Sequence, residues 1–306
     1  MRRSETCKCI AFFRILCYNG NSINEKGEYL LIMNLICPVC SRELSAEPHR
    51  YVCSIGHCFD RARSGYVNLL QRQRHRQRGD DAEMAKSRQR FLNAGYYQPL
   101  LDAVSRYAVD AKCSRIADIG CGEGWYSCGL LQALTDSGIH AELTGIDISP
   151  EILRFAAVRA SQTDLPEPNW AVASVNRIPL ADASCDCVLN LFAPCEPAEF
   201  CRILDRNGLL LRAVPLERHL WELKALIYDT PYENRPVCSA PYGFVLEHLE
   251  RLDYQINVPR DDLHALFAMT PYVHKTSPED AARLLRADSD ALTVTVSFGL
   301  LCCRKQ

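Results

Sequence analysis

No stretch of the chain is apolar for long enough to cross a bilayer, and neither sign of charge is in excess, since the formal net charge is −2 over 306 residues. The first absence leaves no candidate membrane span. The second excludes a uniformly basic nucleic-acid binder, so contact with a polyanion has to come from a local patch. The dinucleotide-binding spacing G-x-G-x-x-G is missing too, because the glycine loop at 120–124 runs G-x-G-x-G. Cysteine, by contrast, is plentiful, with 17 residues in a chain that is 48% hydrophobic and 24% charged. Small exported domains use cysteine as a disulfide framework, but this chain is long and no export signal is expected in it. The thiols therefore read as reduced and the protein as cytoplasmic.

Residues 1–33 read as an extension, disordered or lying before the true start. Cys7, Cys9 and Cys17 are scattered without periodicity, and the apolar stretch from Ile10 to Leu16 is short and broken by Arg14. No small-residue cleavage site follows it, and Met33 stands just ahead of the first clear motif. That motif is Cys37-Pro-Val-Cys40, then Cys53 and His57, with the spacing C-x2-C-x12-C-x3-H. Two knuckles that each offer two ligands suit a closed tetrahedral zinc site, with Cys58 as an alternative to His57. A module spanning 34–71 has too little core to fold by itself, so the metal supplies the missing free energy, on the order of 10 kcal/mol.

Between 72 and 110 the chain reads as a basic linker followed by helices. Arg72, Arg74, Arg76 and Arg78 alternate with polar residues, and guanidinium forks match phosphate oxygens. Beside a zinc module this strip reads as an RNA contact. An amphipathic helix from Asp81 past Phe91 is expected next, broken by Gly95-Tyr96-Tyr97-Gln98-Pro99-Leu100 before a second helix.

From residue 111 to 306 the pattern alternates as a doubly wound α/β sheet requires. Strands are expected at 116–119, 142–146, 170–174, 185–192 and 209–214, with helices at 126–134 and 151–160. The run Asp118-Ile119-Gly120-Cys121-Gly122-Glu123-Gly124 joins the first strand to a helix. Gly120 and Gly122 let the backbone press against a ligand, and the helix start offers free N–H groups. In this setting the run resembles motif I of the class I S-adenosylmethionine methyltransferases. Asp147, at the end of the second strand, is placed to accept hydrogen bonds from the ribose hydroxyls of that cofactor. The loop Phe192-Ala193-Pro194-Cys195 after the fourth strand lacks the Asn/Asp-Pro-Pro-aromatic motif of enzymes that methylate exocyclic amines. Cys195 also lacks the Glu-Asn-Val partner of cytosine-C5 enzymes, so it reads as a packed or pocket-lining residue.

A finer resemblance rests on motifs that occur together and in order. They are the cysteine knuckle, Gly65-Tyr66-Val67-Asn68-Leu69-Leu70, Gly79-Asp80, Gly95 to Leu100, the glycine run, Ala193-Pro194-Cys195, Arg218-His219-Leu220 and Met269-Thr270-Pro271. From about Asn34 onward the chain resembles the RlmA-type 23S rRNA (guanine-N1)-methyltransferases. The resemblance implies a class I methyltransferase domain, a Rossmann-like doubly wound sheet, with a small N-terminal zinc-knuckle domain. It implies one structural zinc on Cys37, Cys40, Cys53 and His57, and S-adenosylmethionine contacts from Tyr97, Tyr126, Ser127 and His219. A 23S rRNA hairpin is the implied partner, with one of two neighbouring guanines as acceptor, and a homodimer the implied assembly.

Guanine N1 carries a proton at neutral pH, which must leave as the methyl group arrives. Glu196, Asp182 and His219 are candidates for a base by location alone. Phe192, Trp221 and Tyr272 could stack on an exposed guanine. Two other readings stay open at this level: a non-catalytic RNA-binding protein with a residual cofactor site, and a small-molecule methyltransferase of quinone type.

Overall fold

The computed structural model describes the backbone at residues 16–18, 21–23 and 29–30, and residues 33–70, 82–274, 276–286 and 290–306. The four arginines of the basic strip lie outside the described residues. The chain divides into two units, Met1–Ile32 and Met33–Gln306. In the first, β1 (Leu16–Tyr18), β2 (Asn21–Ile23) and β3 (Tyr29–Leu30) pair as an antiparallel sheet.

The second unit opens with another small antiparallel sheet, β4 (Leu44–Glu47), β5 (Arg50–Cys53) and β6 (Cys58–Asp60). The next strand, β7 (Tyr66–Asn68), leaves this module and pairs in parallel with β10 (Asn169–Val172), Val67 opposite Ala171. Two helices follow, α1 (Ala82–Asn93) and α2 (Gln98–Asp110). Gly95, at φ +81°, turns the chain between them. Pro99 sits in the first turn of α2, where a missing N–H costs no helical hydrogen bond.

The alternation of the doubly wound region then runs β8 (Arg115–Ile119), α3 (Trp125–Asp136), β9 (Glu142–Asp147), α4 (Pro150–Ala160) and β10. It continues with β11 (Cys185–Leu191), α5 (Pro197–Ile203), β12 (Leu204–Pro215) and α6 (Trp221–Ile227). The chain closes with β13 (Phe244–Pro259), α7 (Arg260–Ala268), α8 (Pro278–Ala281) and β14 (Ala291–Lys305). The eight strands lie in the order β13-β14-β12-β11-β8-β9-β10-β7. The pairs from β12 to β7 are parallel, and β14 is antiparallel to both of its neighbours.

Both faces of this sheet are covered, which is why its strands read as nearly continuous apolar runs. On β8, Ile116 enters the core beneath α2 and α3 with Leu100, Leu130 and Leu134. Its neighbours Ala117 and Ile119 enter the opposite core with Phe200 and Ile203. Leu35, Leu44 and Val67 join that second core, and Leu35 bridges to Leu180. The metal module thus shares its core with the sheet and contributes a strand to it.

From β8 the chain order runs outward through β9 and β10, and from β11 it runs the other way through β12. The crevice between the carboxyl ends of β8 and β11 is the switch point at which ligands of such sheets bind.

Candidate functional site: a metal cluster and a switch-point cavity

The first knuckle forms because Ser41, at φ +59°, turns the chain back, its N–H donating to the Cys37 carbonyl at 2.8 Å. The second relies on Gly56, at φ +89°, a region that costs a glycine little. Together they bring one ligand atom each from Cys37, Cys40, Cys53 and His57 within 4.8 Å of one another. The Cys40 and Cys53 sulfurs are 3.7 Å apart, close to the edge, about 3.8 Å, of a tetrahedron with Zn–S bonds of about 2.3 Å. His57 Nδ1 stands 3.5 Å from both Cys37 Sγ and Cys53 Sγ. Burial pushes the Cys53 thiol up, but the N–H groups of Ile55 and His57 outweigh it and bring it down to about 6. Cys58 is exposed and stays outside the cluster. The donor set fits one zinc ion in a closed structural site.

At the switch point, β8 delivers Asp118 and then the glycine turn. Gly120, Gly122 and Gly124 have φ of +82°, +57° and +79°. A Cβ on Gly120 would stand 2.4 Å from the Ala193 Cβ, so the loops after β8 and β11 touch only because one residue has no side chain. A Cβ on Gly124 would meet the Ala156 backbone at 3.1 Å. The N–H groups of Gly120 and Cys121 both donate to the Ile146 carbonyl, at 2.8 and 3.1 Å, which ties the turn to β9.

The turn floors a cavity of about 1010 Å³, at the upper end of the range for small-molecule sites. Tyr97, Gly120, Gly122, Tyr126, Asp147 and His219 all line it. Asp147 ends β9, its carboxylate accepting from the Gly122 N–H at 3.1 Å and the Ser149 N–H at 3.0 Å. Ser149 caps α4 by accepting from the Ile152 N–H at 3.2 Å, so Asp147 is not needed there and faces the cavity. The Tyr126 hydroxyl is buried without a hydrogen-bond partner, and burial pushes the phenol well above its usual range. A buried phenol that lines the cavity with its hydrogen bond unmade calls for a polar ligand. Ser127 is different: it is not among the lining residues, and its hydroxyl donates to Asp118 at 2.6 Å. It reaches the cavity through that carboxylate.

His219 follows β12 in a turn that holds Leu220 at φ +56°. Its Nδ1 accepts from the Ser297 N–H at 3.3 Å, and its ring packs on Phe298 with centroids 4.6 Å apart. Burial first, and the Lys224 charge second, push it down to about 3. The ring is neutral and its lone pair is engaged. Two other base candidates sit elsewhere, since neither Asp182 nor Glu196 lines the cavity and Asp182 pairs with Arg202 at 3.0 Å. Among the aromatics, Phe192 and Tyr272 line the cavity and Trp221 does not. Phe192 is held at φ +60°, strained for so bulky a residue. The Cys195 thiol is pushed up by burial, as suits a packing group.

Three further features are not read from the sequence. Asp118 is buried beside the turn, and desolvation raises its carboxyl to about 7. Glu123, also buried, pairs with Arg159 at 2.5 Å and clamps the turn to α4. Lys224, fully buried, donates to the Tyr232 carbonyl at 3.0 Å and to Asn234 Oδ1 at 2.8 Å. It thereby holds two residues of the cavity wall in place.

A parallel sheet that reverses its order beside such a turn is how class I S-adenosylmethionine-dependent methyltransferases are built, and residues 116–208 match the family described as "Methyltransferase domain". Residues 35–78 match "RlmA, N-terminal", a zinc ribbon. The 23S rRNA (guanine(748)-N(1))-methyltransferase of Streptomyces fradiae is 33% identical over 283 residues, 90% of this chain and 98% of that one. YxjB of Bacillus subtilis is 32% identical over 277 residues, 87% of this chain and 95% of its own. The chain belongs to the RlmA-type family of 23S rRNA (guanine-N1)-methyltransferases. Its cofactors are S-adenosylmethionine and one structural zinc.

The cofactor supplies an electrophilic methyl group. Tyr97, Gly120, Gly122, Tyr126, Asp147 and His219 line the cavity at the switch point where such a cofactor would be held. Among the described residues no helix is long and apolar enough to cross a membrane.

Proposed function

We propose that this protein transfers a methyl group from S-adenosylmethionine to N1 of a guanine in a hairpin of 23S rRNA. The observation that carries the reading is the single cavity running from the glycine turn to the Phe192-Ala193-Pro194 loop, in a chain that aligns with nearly the whole of a relative named for methylation at guanine 748. One cavity therefore serves both the donor and the loop beside which an acceptor enters. The aromatic walls at Phe192 and Tyr272 suit a base turned out of its stack.

The zinc module and Arg72, Arg74, Arg76 and Arg78 supply the grip on the RNA backbone, and the working place is the cytoplasm, where rRNA is found. Residues 1–33 take no part in this scheme, which assigns 34–71 to RNA recognition, 72–110 to the basic linker and helices, and 111–306 to methyl transfer. Mass spectrometry of rRNA from cells with and without the gene tests the reading. One N1-methylguanine should disappear from a 23S rRNA hairpin, and an unchanged set of methylguanines would contradict it.

A further inference from the structure

The cavity contains a cation that the cofactor-holding residues leave unused. Arg212, on β12 opposite Asn190 of β11, lines the cavity, as Pro194 does. Its Nη1 donates to the Val237 carbonyl at 3.3 Å, while its Nε is buried with no hydrogen-bond partner. Arg115, Arg159 and Arg202 each sit against a carboxylate, whereas Arg212 enters none of the ion pairs found among the described residues. A buried donor left unmade is costly, and an acceptor on the substrate would recover that cost. Asn190 is fully buried, and its Nδ2 donates to the Pro194 carbonyl at 3.0 Å. That bond fixes the turn against which the acceptor base must lie.

Among the described residues that line the same cavity, the carboxylates and the histidine are tied into the fold. The His219 lone pair is taken by the Ser297 N–H. Asp118 accepts from Ser127, Glu123 is paired with Arg159, and Asp147 holds the Gly122 and Ser149 N–H groups. A reaction at guanine N1 is eased by making the N1 proton more acidic. Guanine offers O6 for that purpose, because charge left by the departing proton is shared between N1 and O6.

We propose that Arg212 is a catalytic residue of this site, its guanidinium donating to O6 of the acceptor guanine and stabilising the negative charge that develops there during methyl transfer. The inference rests on the guanine-N1 reading above. The N1–C bond forms as the C–S bond of the donor breaks, the bonding pair stays on sulfur, and the N1 proton passes to water. A preorganised donor aimed at developing charge in a water-poor site is worth about 10²- to 10³-fold in rate. It also selects guanine over adenine, which presents an amino donor at the position of O6.

The groups facing Arg212 are the thiols of Cys195, on the loop after β11, and Cys303, on β14, both pushed up by burial and so neutral. The test is the pH–rate profile of the full-length protein on the rRNA hairpin, wild type against Arg212→Gln, with cofactor affinity measured alongside as a check on folding. Wild-type methylation at guanine N1 establishes the underlying reaction independently of Arg212. The variant should bind cofactor normally and lose about 10²-fold in kcat at neutral pH. Its profile should move upward by about one unit or more, so that the deficit narrows as rising pH ionises N1 unaided. With S-adenosylhomocysteine bound, it should also lose the wild-type preference for a guanine over an adenine hairpin. Arg212→Lys, which keeps the charge, should retain the wild-type profile at reduced rate. A folded Arg212→Gln with wild-type rate, or with a loss equal at every pH and base preference intact, would overturn the proposal.

Discussion

Single side chains in the cradle carry the most direct tests. Removing the orphaned hydroxyl by Tyr126→Phe takes away no protein contact, so the melting temperature without cofactor should not fall. Cofactor affinity measured by calorimetry should drop about tenfold, the worth of one hydrogen bond of about 1.4 kcal/mol. Asp147→Ala should weaken cofactor binding by ten- to a hundredfold, about 1.5–3 kcal/mol, and spare RNA binding. Asp118 makes a test of pH. Its folded value, about 7, lies above the ordinary 3.8, so the folded state holds the extra proton between the two. The stability this confers is fully present below 3.8 and is lost as pH rises through about 7. Above that range a buried charge remains, at a cost on the order of 4 kcal/mol. Asp118→Asn, which cannot ionise, should resist denaturant better than wild type above pH 7, the gap closing as pH falls towards 3.8. His219, pushed down to about 3, has the opposite slope below its ordinary 6.5, but it is common to both proteins and cancels in the difference. At this scale the glycines and Asp147 were legible because chain spacing alone places them. The Glu123–Arg159 pair was not, since its partners meet only when α4 packs on the turn. Arg212 left a fainter signal, one charge inside the apolar run Leu209-Leu210-Leu211-Arg212-Ala213-Val214.

Among the elements, the strand–turn–helix unit at β8 and α3 depends on backbone geometry more than on any contact. Gly124→Ala puts a Cβ 3.0 Å from the Ala156 Cβ at a left-handed φ of +79°. It should cost about 1–3 kcal/mol, read as a lower melting temperature with cofactor affinity falling as well. The parallel strands were readable because each is a short apolar run bounded by a turn and buried on both faces. The expected 116–119, 142–146 and 185–192 became Arg115–Ile119, Glu142–Asp147 and Cys185–Leu191. The long pair β13 and β14 was not foreseen. At the edge of the sheet, β13 mixes polar and apolar residues over its 16 positions, with Val245 and Leu249 exposed. Such a pattern takes its meaning from β14 beside it, a pairing that sequence spacing does not reveal. The role of β7 was hidden for the same reason, since three residues of the zinc-module segment become a strand only against β10.

For the whole molecule, the metal module and the methyltransferase sheet share a core, while their chemical sites remain separate. Cys37 and Cys53 are buried in the core that also holds Ile119 and Phe200, whereas the cavity proposed to take the cofactor opens at the β8–β11 switch point. Zinc removal, or Cys37→Ser with Cys40→Ser, should therefore abolish RNA methylation and leave cofactor binding largely intact by calorimetry. Equal loss of both would refute that division. The most direct measurement is methyl transfer by the purified protein to a 23S rRNA hairpin, with labelled S-adenosylmethionine as donor and the product nucleoside resolved by mass spectrometry. One N1-methylguanine at a single position is the result predicted here. Label on another base, on another atom of guanine, or nowhere in the RNA would contradict the account.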